Sequence, residues 1–392
     1  MDAALAFSRT RSHLLAWFVE QAMPLWSGAG TDWAQGGFHE KLDAAGHPID
    51  EPRRTRVVAR QLYVFSVARK LGWQGDAPRW LDHGMRFLLT RLRQPDGTFA
   101  SSVRPDGQLV NAQFDLYEQA FALFAMASVY RLDPQRHAEL PQLSARLLQT
   151  LRQGWGHPDT GFQESTPPSV PLRANPHMHL FEAALQWRDA LAGTEAQATW
   201  QALADELAEL ALHKLTQPPS GLLTELFDLQ WRPLPGQDGR RAEPGHQFEW
   251  GWLLSRWGHE RHRTDAIEAA RTMVDLAERH GLDPARGVAI NEIDLALTWL
   301  DAEAKLWPQT ERIKAWTERA VRAPGPIERT QALECATAAM KGLERYLHHP
   351  VAGAWQEVWL KDGQWKAEPT RASSLYHIVC ALETLHDAGD LS

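Results

Sequence analysis

Gly161-Phe162-Gln163-Glu164 is a short loop between two long helical stretches, and variants of it recur along the whole chain. They read Gly37-Phe38-His39-Glu40, Gly97-Thr98-Phe99, Gly221-Leu222-Leu223-Thr224-Glu225, Gly287-Val288-Ala289-Ile290-Asn291-Glu292 and Gly353-Ala354-Trp355-Gln356-Glu357. Successive glycines stand 60, 64, 60, 66 and 66 residues apart, a near-regular period. Turn signals flank them, such as Pro95-Asp96-Gly97 and Asp283-Pro284 upstream and Pro105-Asp106-Gly107 and Lys361-Asp362-Gly363 downstream. The loops therefore read as small hairpins gathered at one end of the molecule.

Each interval between loops has room for two helices. The pattern predicts pairs over 54–71 and 77–93, 111–130 and 136–152, 175–192 and 194–215, 245–258 and 264–280, and 300–320 and 326–346, with single helices at 4–23 and 370–387. Leu81, Met85, Leu88 and Leu92, and Ile267, Ala270, Met273 and Val274, show the spacing of an amphipathic helix. A chain that begins and ends on a single helix can close six pairs into a ring. The expected fold is all-α, an (α/α)6 barrel of twelve helices with short β-hairpins at one end, in a single catalytic domain over 1–392. An open solenoid is the alternative, but solenoid repeats usually run about 20–45 residues. Residues 233–244 read as a long loop within the barrel, not a linker.

Composition narrows the function. Lys and Arg total 41 against 49 Asp and Glu, a formal charge of −8, which argues against nucleic acid or an anionic membrane as partner. No run reaches the roughly 18 apolar residues of a membrane span. Two distant cysteines, Cys335 and Cys380, exclude a disulfide framework and suit a cytoplasmic setting. Nothing speaks to oligomeric state. Eighteen Trp and 17 His against 5 Tyr suit a site that holds a sugar and moves protons, although Trp is also core filler. Phosphate loops, dinucleotide fingerprints, nucleophile elbows and zinc-spaced Cys/His clusters are absent from the sequence.

The period aligns the chain with itself. Arg60, Tyr117, His179, His246, Trp307 and His377 fall 18 to 25 residues after their respective glycines, each on the first helix of its repeat. In a closed barrel such positions converge on one mouth. Local spacing adds Glu249 and Trp250 beside His246, Asn175 and Glu182 beside His179, and Glu311 beside Trp307. His177 and His179 point apart on a helix, so only one should face the mouth. Arg60 stands in an apolar run and requires a partner, either an acid such as Glu249 or Glu311 or a substrate. Trp355 and Trp365 read equally as core or as sugar platform.

With these motifs assembled, the chain resembles the N-acylglucosamine 2-epimerase superfamily over nearly its full length. The carriers are Ala59-Arg60-Gln61, Leu116-Tyr117-Glu118-Gln119-Ala120-Phe121, Asn175-Pro176-His177-Met178-His179-Leu180-Phe181-Glu182, Pro244-Gly245-His246-Gln247-Phe248-Glu249-Trp250, Trp307-Pro308-Gln309-Thr310-Glu311 and Leu375-Tyr376-His377. Asn-Pro-His-Met-His-Leu and Leu-Tyr-His look most like the mannose isomerase branch. The resemblance implies an (α/α)6 barrel and catalysis without metal or other cofactor. It makes His246 and His377 the acid/base pair, with His179, Arg60, Tyr117 and Glu249 around a free monosaccharide.

The chemistry agrees. The C2 proton of a sugar becomes acidic only in the open-chain aldehyde, so the ring must open before a base acts. Histidine titrates near neutral pH and suits both steps. Arg60 could stabilise the oxyanion. The expected reaction interconverts mannose with fructose, or lyxose with xylulose. A sugar 2-epimerase uses the same residues, with two bases across the sugar. An (α/α)6 glycoside hydrolase would pair Glu249 with Glu311 or Asp115. A non-catalytic helical scaffold completes the alternatives.

Overall fold

The computed structural model describes residues 3–391. Among them twelve helical segments follow one another. We number them α1 (Ala3–Trp17, extended through a π turn to Met23–Ser27), α2 (Thr55–Ala68), α3 (Ala77–Phe87, with a π turn at Leu88–Leu92), α4 (Leu116–Leu132), α5 (Leu140–Trp155), α6 (Ala174–Ala190), α7 (Gln197–Leu210, with a π turn at Ala211–Leu215), α8 (Pro244–Arg261), α9 (Thr264–His280), α10 (Trp307–Val321), α11 (Pro326–Tyr346) and α12 (Ala372–Asp387).

Burial separates two sets. In α4 every residue from Glu118 to Val129 is buried, and α2, α6, α8, α10 and α12 are similarly enclosed. A helix buried all round belongs to the interior of a large fold. In α9 burial is confined to Ala266, Ala270, Met273, Val274 and Ala277, one stripe at helical spacing. The even-numbered helices form an inner ring in which α2 contacts α4, α4 contacts α6, and so on until α12 returns to α2. The odd-numbered helices clothe it, and α1 closes the outer layer against α11. This is the expected (α/α)6 barrel, with the chain ends meeting at a seam.

Two helix starts differ most from the sequence reading. The helix expected at 111–130 begins at Leu116, because Leu109–Asn111 is a strand against Ser102–Val103 and the Asp115 carboxylate caps the helix by accepting from Tyr117 N. The helix expected at 300–320 begins at Trp307, because Trp299–Asp301 pairs with Glu292–Asp294 and Ala304–Lys305 pairs with Val358–Trp359.

The latter pairing is one of a series. The strand before each of five inner helices pairs with a loop of the adjoining repeat: Arg54 with Ser102, Arg173 with Leu226, Arg241 with Asp294, Lys305 with Val358 and, across the seam, Arg371 with Lys41. The hairpin end is therefore a linked belt, not a set of isolated hairpins. A second device ties belt to ring. Gln119, Gln247 and Gln309 each accept from one hairpin N–H, at Phe99, Leu223 and Ala289, and donate to the carbonyl of the same residue. Buried strand ends thus keep their backbone hydrogen bonds.

Candidate active site

All six inner helices begin at the belt, so their N-termini, which carry partial positive charge, surround the barrel mouth. A cavity of about 450 Å³ opens there. Arg60, Tyr117, Asn175, His179, His246, Glu249, Trp307 and His377 line it, with Glu243, Asn291, Asp301, Glu303, Lys305, Glu357, Lys366, Arg371, Ser373 and Ser374. Gly245 makes part of this possible: a Cβ there would stand 2.5 Å from the Trp307 ring. Without one, the indole lies between the two candidate histidines, its centroid 4.9 Å from that of His246 and 5.7 Å from that of His377. The histidines are no farther apart than those two distances laid end to end, within reach of a single sugar.

The two imidazoles share a plan and differ in charge. His246 Nδ1 lies 3.0 Å from Glu225 Oε2, with Glu243 3.9 Å away. Burial works to lower its pKa, but Glu225 and Glu243 outweigh burial and lift it to about 10. His377 Nδ1 lies 2.9 Å from Glu311 Oε1, but Glu311 Oε2 is held 2.5 Å from the Lys314 ammonium. Burial, Arg60 and Lys314 hold His377 well below its ordinary value. At neutral pH the site therefore presents one imidazolium and one neutral imidazole. In the neutral ring Nδ1–H donates to Glu311, leaving the Nε2 lone pair unused.

Arg60 donates to Tyr117 Oη at 2.7 Å, and its guanidinium lies over Phe121 and Tyr376, 4.2 and 5.0 Å from their ring centroids. Among the described residues no carboxylate comes within ion-pair distance of it. The partner Arg60 requires is thus aromatic, and its charge remains available to the cavity. His179 Nδ1 is 3.4 Å from Glu182 Oε2, and burial lowers its pKa. Neither oxygen of Glu249, nor Asn175 Oδ1, has a hydrogen-bond partner among the described residues. Burial and then the Glu311 charge raise Glu249 to about 7. These atoms suit sugar hydroxyls, which both donate and accept.

Three selected residues do not reach the cavity. Trp250, expected in its wall, is fully buried and stacked on Phe181, so that expectation is corrected. Glu182 and Glu311 lie one layer down, behind His179 and His377. Glu182 also accepts from Tyr376 Oη. His179 lines the mouth, whereas His177 is a structural clamp: Nδ1–H donates to Arg173 O at 2.8 Å and Nε2 accepts from Phe162 N at 3.0 Å. Burial lowers its pKa to about 4, keeping it neutral for this task. Trp355 stacks on Trp26 and Trp365 on Trp359, and neither lines the cavity. Asp115 is committed to its helix cap and to Arg173, 3.1 Å away.

Sequence reasoning passed over Lys314 and, as a site residue, Glu225. The signal for Lys314 was present: a lysine between Ile313 and Ala315 on an inner helix, three residues after Glu311. Three sets of imidazole and carboxylate atoms lie close enough to enclose an ion: His179–Glu182–Glu249, Glu225–Glu243–His246 and Glu249–Glu311–His377. Each already contains an internal hydrogen bond, and both carboxylates of the last are ion-paired with Lys314.

The mouth of this closed helical barrel thus holds two carboxylate-paired imidazoles beside a guanidinium with no carboxylate partner among the described residues. Residues 36–381 match the N-acylglucosamine 2-epimerase (GlcNAc 2-epimerase) family, and the chain belongs to that family. It is 41% identical over 374 residues to a mannose-6-phosphate isomerase of Rhizobium meliloti (strain 1021), covering 95% of this chain and 96% of that protein. It is 24% identical to the human N-acylglucosamine 2-epimerase over 81% of this chain and 77% of that one. A D-mannose isomerase structure superimposes with a TM-score of 0.84 at 18% identity, covering 95% of this chain and 97% of the other. No helix of the described residues is long and apolar enough to cross a membrane.

Proposed function

We propose that the protein is an aldose–ketose isomerase acting on a free monosaccharide, with mannose and fructose as the first pair and lyxose and xylulose the second. The opposite charge states of His246 and His377 on either side of Trp307 carry this reading. His246, as imidazolium, donates a proton to the ring oxygen as the C1–O5 bond breaks, and the imidazole so formed takes the proton of the anomeric hydroxyl, which gives the open-chain aldehyde and restores the imidazolium. His377 Nε2 takes the C2 proton, and the C2–H electrons form the C1=C2 bond of the enediolate. Arg60 and the inner-helix N-termini stabilise the oxyanion. A proton passes between O2 and O1, and His377 returns its proton to C1. The same base serves both carbons, so the transfer stays on one face.

Within the family, the 41% identity to a protein named mannose-6-phosphate isomerase favours isomerisation. For the free sugar we note that the rim is mixed, Glu243, Asp301 and Glu303 standing among Lys305, Lys366 and Arg371, so the cations have acidic neighbours and are not a set reserved for a phosphate dianion. A second reading, 2-epimerisation, draws on the same charge pattern: an imidazolium His246 could reprotonate C2 from the other face. A carboxylate-pair hydrolase has less support, because Glu311 is occupied by Lys314 and His377. The chemistry uses only side chains, so activity is expected to survive exhaustive chelation; a loss restored by one divalent ion would overturn that part. The main test is NMR of mannose with the protein in deuterated water. Fructose as product supports the isomerase, and glucose alone supports the epimerase. Faster turnover of mannose 6-phosphate than of mannose would reject the free-sugar assignment.

A further inference from the structure

Two buried imidazole–carboxylate pairs at one site should behave alike, yet the structure gives them different neighbours. Glu225 faces His246 with Glu243 nearby and no cation within ion-pair distance among the described residues. Glu311 faces His377 on one oxygen and Lys314 on the other. Lys314 is fully buried, with Glu249 3.7 Å away and the Trp252 ring 4.1 Å away. It does not line the cavity, so its place is behind the site and not against a substrate.

We infer that Lys314 is a positioning residue for the proposed base: its ammonium, held on the far oxygen of Glu311, lets that carboxylate orient His377 without charging it. A carboxylate alone would favour the imidazolium, as Glu225 does for His246. An imidazolium has no lone pair and cannot accept the C2 proton. Lys314 compensates the Glu311 charge, so Glu311 still accepts from Nδ1–H and Nε2 stays a base. The other groups facing His377 are Arg60 from α2, Glu182 from α6, His246 and Glu249 from α8. Without Lys314, Glu182, Glu249 and Glu311 would share one buried space with too few positive charges, and the His377–Glu311 pair would bind a proton. That proton disables the base wherever it settles. On the ring it fills Nε2; on Glu311 it donates to Nδ1 and forces the tautomer with Nε2–H.

The inference rests on the proposed isomerase reading, but its test separates the two. The full chain, labelled with ¹³C at histidine, is titrated by NMR without substrate, with His377 and His246 assigned from the His377→Asn and His246→Asn spectra. In the unsubstituted protein His377 should be neutral and His246 cationic at pH 7. In Lys314→Met the His377 transition should move upward past neutrality, while Lys314→Arg should leave it near its original position. With mannose, kcat/KM of Lys314→Met should fall about tenfold for each unit by which the pair's pKa exceeds the assay pH, and recover as pH rises. A folded Lys314→Met whose His377 titration is unmoved would overturn the role. If Lys314→Met does not fold, the unsubstituted protein decides, because a cationic His377 at pH 7 also overturns it. A chain that converts no sugar refutes the isomerase reading and leaves the titration interpretable.

Discussion

His246 and His377 each hold a carboxylate on Nδ1, but the groups beyond that carboxylate differ. That difference comes from Glu225 in a hairpin and Lys314 inside α10, and neither is near its histidine in sequence. Replacing His377 by Asn removes the base with little change of shape. Turnover of mannose should fall about 10²–10⁴-fold, the usual contribution of such a group, with the circular dichroism spectrum unchanged. For His246 the sign follows from its raised pKa. Its charged form is favoured in the folded state, so its contribution to stability is complete below about 6.5. That contribution is lost as pH rises towards the folded value of about 10. Thermal midpoints should decline over that window, and His246→Asn should show a smaller decline. The kcat/KM profile should fall on the alkaline side only as pH approaches and passes the folded value of about 10; a profile rising through pH 10 would contradict an acid role for His246.

At the scale of elements, outer helices were legible because burial on one stripe leaves a 3.6-residue pattern, and the hairpin period because its glycine loops recur. The starts of α4 and α10 were not, because Asn111 and Asp301 end local hairpins, paired with Ser102 and Glu292, and the helices begin only at Leu116 and Trp307. Trp250 was misplaced for a related reason: four residues from His246 is near the same helix face, but one turn deeper the face meets Phe181 and not the cavity. His177 shows the reverse case, a site-like residue doing what glutamine does in other repeats. The clamps have a measurable value. Gln309→Ala leaves the Ala289 N–H and C=O buried without partners, and each orphaned group typically costs about 1–3 kcal/mol. Denaturant unfolding should show a loss in that range, with KM for the sugar little changed. A loss of affinity without destabilisation would place Gln309 in the site instead.

The whole molecule depends on its seam. The chain ends meet where Lys41–Leu42 pairs with Thr370–Arg371, and Trp26 stacks on Trp355 with centroids 5.0 Å apart. Trp26 Nε1 also donates to Gly353 O at 3.1 Å. Trp26→Ala should cost about 3–5 kcal/mol, as deletions of large buried rings do. Chemical denaturation would read this directly, and kcat measured well below the transition should be retained, because Trp26 does not line the cavity. A variant as stable as the original would mean that the ring does not depend on this closure.

The belt also bears on how such a molecule can change over generations. Five of the six pre-helix strands are matched to a loop one repeat away, and the last of these matches returns to the beginning of the chain. A duplicated or deleted hairpin would leave two unmatched strand edges and a misaligned mouth, with nothing in between that could be half right. Repeat number is therefore frozen, while the outward turns at Pro105-Asp106-Gly107 and Lys361-Asp362-Gly363 can lengthen or shorten without disturbing the register. New substrates in this lineage should be reached by remodelling the rim, with the number of staves held at six.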